Sequence, residues 1–281
     1  MSIASRTLSL LLALLTTLAG CVDLSPSLRR DHAAQLAAAA GWQRVRLPTD
    51  RFVLTGYLPT TIPADNQTLT VYIEGDGLAW ITGSVVSLDP TPINPVGLAL
   101  ALRQPQGAAA YLARPCQYVE GPDAKGCSTE YWTDRRFAPE VVAATDQAID
   151  QLKERCHARQ LVLVGYSGGG AVATLVAARR RDVTLLVTVA GNLDHRTWTT
   201  QHHATPLSGS LNPADAWQEL QDVPQIHFVG GKDRVVGREV ATAYASRFPA
   251  NRRPKIQVVP AFDHTCCWPE QWPELFRQAT D

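Results

Sequence analysis

Residues 161–180 read LVLVGYSGGGAVATLVAARR. Leu161 to Val164 is an apolar run without polar alternation, which predicts a strand covered on both faces. Gly169 to Arg180 is rich in Ala and Val and predicts a helix. Between them lies Gly165-Tyr166-Ser167-Gly168-Gly169, the pattern G-x-S-x-G. A chain that turns from strand to helix this sharply has no room for side chains two positions either side of the serine, where a Cβ would strike neighbouring backbone. Ser167 is then strained, with its hydroxyl projecting from the sheet at the start of a helix whose dipole favours negative charge.

Outward from this turn the chain keeps the same rhythm. Strands are expected at Leu69 to Ile73, Ala108 to Leu112, Val183 to Val189, Ile226 to Val229 and Ile256 to Val259. Helices are expected over Ala138 to His157, Arg238 to Arg247 and Glu270 to Ala279. Strands alternating with helices imply βαβ crossovers and a mainly parallel sheet, so the fold class is α/β with helices on both faces. Trp42 to Leu47 and Phe52 to Leu58 suggest an antiparallel pair ahead of it. A short helix is expected at Asp31 to Ala40, with Asp31 as its cap and residues 22–30 as a tether. Segments 113–138 and 191–222 break the alternation and are rich in Pro, Gly, Trp and polar residues, as caps and functional loops are.

A serine hydroxyl is a weak nucleophile until a base takes its proton. The residues for that task follow in order. Asp233 comes just after Ile226 to Val229, and His264 just after Ile256 to Val259, both at carboxyl ends of strands where α/β sheets bind ligands. Asp233 would orient the imidazole of His264, and His264 would serve as base and then acid. Asp194 is the alternative acid, His195 beside it reads as a loop residue, and Asp263 is discounted because adjacent side chains rarely face each other. An oxyanion hole would use the N–H of Gly168 and, from the Glu74-Gly75-Asp76-Gly77 bend, that of Asp76, with Gly77 as the alternative.

These features together resemble the α/β-hydrolase superfamily, over residues from about 42 to 279. The resemblance implies the α/β-hydrolase fold and a serine hydrolase with a Ser167-Asp233-His264 triad. One departure concerns the third strand: many members have His-Gly after it, where this chain has Glu74-Gly75. Aromatic residues around Tyr131-Trp132 and from Trp198 to Trp217 could roof the site, and Trp268 could line it.

Lys plus Arg and Asp plus Glu both number 26, which speaks against a general nucleic-acid binder. Arg6 precedes an apolar run, Leu8 to Ala19, that is too short to span a bilayer but suits a signal peptide. It ends in Leu18-Ala19-Gly20-Cys21, which resembles a bacterial lipobox. That resemblance implies cleavage after residue 20, a lipid anchor on Cys21 and, with Val22 next, an outer-membrane location facing the periplasm. The organisation expected is then signal peptide 1–20, tether and short helix 21–41, and hydrolase domain 42–281. The other cysteines are Cys116, Cys127, Cys156, Cys266 and Cys267; an oxidising compartment permits disulfides among them, and an odd number leaves one thiol over. No spacing signals a metal, and His202-His203 reads as a surface pair. The expectation is a cofactor-free hydrolase of small ester or acyl substrates. A peptidase or acyltransferase on the same triad, and a non-catalytic envelope binding lipoprotein, are the alternatives.

Overall fold

Alternate residues of the central strands enter two different cores. A computed structural model describes residues 25–62 and 67–280. In chain order the elements are α1 (Pro26–Ala39), β1 (Trp42–Pro48), β2 (Val53–Pro59), β3 (Thr68–Ile73), β4 (Trp80–Thr82), β5 (Val85–Val86), α2 (Val96–Ala101), β6 (Ala108–Leu112) and α3 (Pro139–Arg155). Then come β7 (Gln160–Tyr166), α4 (Gly168–Ala177), β8 (Val183–Val189), α5 (His195–Gln201), β9 (Gln225–Gly230), α6 (Arg238–Ala245), β10 (Lys255–Val259) and α7 (Trp268–Thr280).

Eight strands form one sheet in the order β1-β2-β6-β3-β7-β8-β9-β10, and β4-β5 is a separate hairpin. The β1–β2 and β2–β6 pairs are antiparallel; the remaining neighbours in the large sheet are parallel. Leu69, Val71 and Ile73 of β3 enter one core, which also takes Ile149 of α3, Val172 of α4 and Tyr244 of α6. Tyr72 of β3 and Val162 and Val164 of β7 point to the other, against Ala33 of α1, Leu98 of α2 and Trp272 of α7. This period-2 division is why the strands read as continuous apolar runs. Helix α4 is buried at every position, which fits its lack of a polar face.

Three expectations are corrected. The first helix begins at Pro26, not Asp31, so residues 26–30 are helical and Asp31 is interior. Proline suits the first helical turn, whose N–H groups are unpaired in any case. Arg29 and Arg30 tie this turn to the loop at Asp89, and Arg29 also donates to the Thr91 carbonyl. Between residues 78 and 107, where no element was expected, lie β4, β5 and α2; and His195 opens the short helix α5 rather than sitting in a loop.

The two long segments hold each other. Leu211 N donates to Phe137 O at 3.0 Å, Phe137 N donates to Ser210 Oγ at 3.0 Å, and Ser210 Oγ donates to Asp134 O at 2.6 Å. Cys116–Cys127 and Cys266–Cys267 are disulfides, and the buried Cys156 is free. Burial pushes its thiol up to about 11. Cys21 lies outside the described residues. No helix among the described residues is long and apolar enough to cross a membrane.

Candidate active site

Ser167 joins β7 to α4 with φ +52° and ψ −122°, a backbone conformation that L residues rarely adopt. The flanking glycines let the turn close. A Cβ on Gly165 would sit 2.5 Å from Gly170 Cα and nearer still to the Gly169 carbonyl; one on Gly169 would run into the carbonyls of Ile73 and Glu74. The turn is pinned from β8: Ser167 N donates to Val189 O at 2.9 Å, and Asn192 N donates to Ser167 O at 3.0 Å.

Asp233 and His264 arrive on the loops after β9 and β10. These loops are stitched together by Gly231 N to Val259 O (2.9 Å) and Lys232 N to Phe262 O (2.8 Å). Asp233 Oδ1 accepts the N–H groups of Val235 and Val236, both at 2.8 Å, which fixes its carboxylate plane. Its Oδ2 accepts from His264 Nδ1 at 2.8 Å, and the side chain is fully covered. A carboxylate can only accept, so Nδ1 carries the hydrogen and the Nε2 lone pair faces Ser167 Oγ, 3.0 Å away. Tyr166 and Trp268 hold the histidine from beneath: the Tyr166 hydroxyl and Trp268 Nε1 each donate to His264 O at 3.1 Å.

The remaining candidates lie elsewhere. Asp194 caps α5, accepting from Arg196 N at 3.1 Å and from Thr197 Oγ1 at 3.1 Å. Asp263 shapes the histidine loop by accepting Thr265 N and Cys266 N at 2.8 and 2.7 Å. The His195 ring is buried against Phe137; burial and then the nearby Arg196 lower its pKa. His202 and His203 are exposed, with His202 Nε2 2.9 Å from Val235 O. Among the described residues no group of three or more His, Cys, Asp or Glu could hold a metal ion. Trp198 reaches the cleft. Trp217 instead packs on Phe248, and Trp268 lies wholly inside the protein, because its indole supports the histidine loop instead of lining the cleft.

Ser167 and His264 open into a cavity of about 330 Å³, whose far wall is the bend after β3. Asp76 and Gly77 line it, and Gly77 adopts φ +67°. The N–H groups of Gly168, Asp76 and Gly77 have no hydrogen-bond partner among the described residues. A Cβ on Gly168 would overlap the Asp76 carboxylate, so that side chain packs directly on the Gly168 backbone. Glu74, in the place of the more usual histidine, braces the bend. Its carboxylate accepts Gly75 N (2.9 Å), Gly97 N (3.1 Å), Leu98 N (3.3 Å) and the Tyr111 hydroxyl (3.1 Å). Burial raises its pKa, against the pull of those four donors.

Two residues with no signal in the sequence complete this wall. Arg114 Nη1 lies 3.0 Å from Asp76 Oδ1, and Arg136 Nη1 lies 2.9 Å from Oδ2. Arg114 also donates to the Arg136 carbonyl. Burial opposes ionisation of Asp76, but Arg136 and Arg114 outweigh it and hold the carboxyl below the usual carboxylate range. Both arginines come from the long segment after β6, and only its folded path brings them to Asp76.

No protein-family model matches the sequence, and no curated protein matches it. Solved structures do. An esterase of Pyrococcus furiosus superposes with a TM-score of 0.58 at 13% identity, covering 84% of this chain and 90% of that one. Est1E from Butyrivibrio proteoclasticus gives 0.57 at 14% identity, covering 84% and 98%. A membrane phospholipase A described as a bacterial virulence factor gives 0.54 at 16% identity, covering 98% and 97%. With its mainly parallel eight-stranded sheet and its helices on both faces, the chain has the α/β-hydrolase fold.

Proposed function

We propose that this chain is a serine hydrolase that cleaves carboxylic esters through an acyl-serine intermediate. The observation that carries the reading is the unbroken link Asp233–His264–Ser167, with 2.8 and 3.0 Å spacings, opening onto a cavity. Ser167 Oγ attacks the ester carbonyl while His264 Nε2 takes its proton. The carbonyl electrons move onto oxygen, where the N–H groups of Gly168 and Asp76 meet them. The alcohol leaves with the proton from Nε2. Water then repeats the sequence, delivering its proton to His264 and releasing the acid. Asp233 keeps the imidazole in the working tautomer and stabilises it when charged. No cofactor enters any step.

The arginine pair has a role in this scheme. An isolated Asp76 carboxylate beside the nascent oxyanion would repel it; Arg114 and Arg136 offset that charge and fix the backbone that carries the donor. Structures of the same fold that bear the names esterase and phospholipase support the ester assignment. The lipobox-like segment ending at Cys21 supports a location at the bacterial envelope, with lipid on Cys21 holding the chain at the outer membrane, facing the periplasm.

The test combines a fluorophosphonate probe with two substrate series. Wild type should be labelled and Ser167→Ala should not. Short-chain p-nitrophenyl esters should turn over far faster than the matching anilides. A folded wild type that takes no label would favour a binding protein, and faster anilide cleavage would favour a peptidase.

A further inference from the structure

Six large apolar side chains are exposed among the described residues: Leu28, Trp80, Ile81, Val85, Leu88 and Val235. They are not scattered. Trp80, Ile81 and Val85 lie on the β4–β5 hairpin, which starts two residues after Leu78 of the cavity wall, and Leu88 follows it. Val235 is itself part of that wall. Leu28, on the first turns of α1, shares a groove with Ile93 and Asn94, and both of these line the active-site cavity. Residues 77–88, GLAWITGSVVSL, contain no charged side chain. Leu88 is 89% exposed, and among the described residues the hairpin has no third strand. A soluble surface gains nothing from such a concentration, which marks an interaction site.

We propose that this rim docks on a phospholipid bilayer, with the cavity mouth turned toward the lipid. Tryptophan beside aliphatic side chains, free of charge, is the composition that partitions into the headgroup boundary. The chain outside the described residues points to the same occupant. Cys21, to which the lipobox reading assigns a lipid, precedes Ser25 by four positions, and Ser25 lies directly before the turn that carries Leu28. Arg29 and Arg30 of that turn bind Asp89, the residue after Leu88. The attachment point of the N-terminal segment and the end of the apolar hairpin are therefore one ion pair apart. That the bilayer also supplies the ester rests on the hydrolase reading above; docking itself does not.

The experiment uses the full-length chain with phosphatidylcholine vesicles, plain or brominated on the acyl chains. Brominated vesicles should quench the tryptophan fluorescence of wild type, and Trp80→Phe should remove most of that quenching. Trp80→Ser combined with Ile81→Ser and Leu88→Ser should keep its rate on a soluble short-chain ester and lose at least about 10-fold on esters embedded in vesicles. Equal quenching in wild type and Trp80→Phe would overturn the proposal. So would a wild-type dimer in sedimentation that the triple variant converts to monomer, because the rim would then belong to a second copy. The fluorescence arm needs no turnover, so an inert Ser167 would sink the hydrolase reading and leave docking standing.

Discussion

At Ser167 the backbone is held at positive φ by contacts that leave no alternative: β8 grips its N–H, and glycines on both sides admit the neighbouring carbonyls. Gly169→Ala should therefore disrupt the turn even though it adds a single methyl. We expect a loss of about 3 kcal/mol in urea unfolding, together with loss of activity, since the Cβ meets backbone that cannot move aside. An unchanged unfolding midpoint would show that the close approach to Glu74 is dispensable. Asp233→Asn keeps the shape but can donate to Nδ1, which selects the wrong tautomer of His264. Its kcat should fall by about 10⁴-fold with little change in stability. A fall of less than tenfold would remove Asp233 from the relay. The positions of all three side chains could be read from the chain because each follows a recognisable strand in the expected order. The arginine clamp on Asp76 could not. Arg114 and Arg136 are 22 residues apart in an irregular segment, and no periodicity links either of them to Asp76.

Among the elements, those hidden from water on both sides were the most legible. The apolar runs at Val183 to Val189 and Ala108 to Leu112 match β8 and β6 residue for residue. The short elements escaped notice for a physical reason. Helix α2 has Pro95 at its cap and is six residues long, too short to show a periodicity, and it takes its N-terminal bonds from distant Glu74. Helix α5, HRTWTTQ, is rich in residues with modest helix propensity and starts because Asp194 caps it. Strand β9 adds a pH signature. His227 is buried there, with Thr188 Oγ1 2.8 Å from Nδ1, and burial pushes its pKa down to about 3. The unfolded chain takes up this proton near pH 6.5, whereas the folded one refuses it until much lower pH. Its contribution is therefore complete above pH 6.5 and is lost as pH falls toward 3, with a slope approaching 1.4 kcal/mol per pH unit, about one proton's worth. Urea unfolding between pH 7 and 4 should show a flatter acid limb in His227→Gln than in wild type; parallel limbs would assign the acid sensitivity elsewhere.

On the scale of the whole molecule, the Asp89 ion pairs tie the start of α1 to the end of the exposed hairpin, and Ile93 and Asn94 join the groove beside Leu28 to the mouth of the candidate site. Lipid on Cys21 would therefore hold the cavity within a few residues' reach of the membrane. Cys21→Ser should abolish incorporation of labelled palmitate and move much of the chain from the membrane fraction to the soluble one, since lost acyl chains remove most of the anchoring. Palmitate labelling that persists in the variant would place the anchor on another residue.

The order of strands and helices, the tight turn at Ser167 and the succession of Ser167, Asp233 and His264, each after a strand, were all present in the chain itself. Each is a local matter: a hydrophobic period, a glycine spacing or a side chain placed after a strand. What only the folded molecule decided was which distant residues share a wall. Asp76 between two arginines, Glu74 stapling α2, and an apolar rim around the mouth all depend on long loops. Those loops follow paths set by the packing of remote segments, and no repeat in the sequence encodes them.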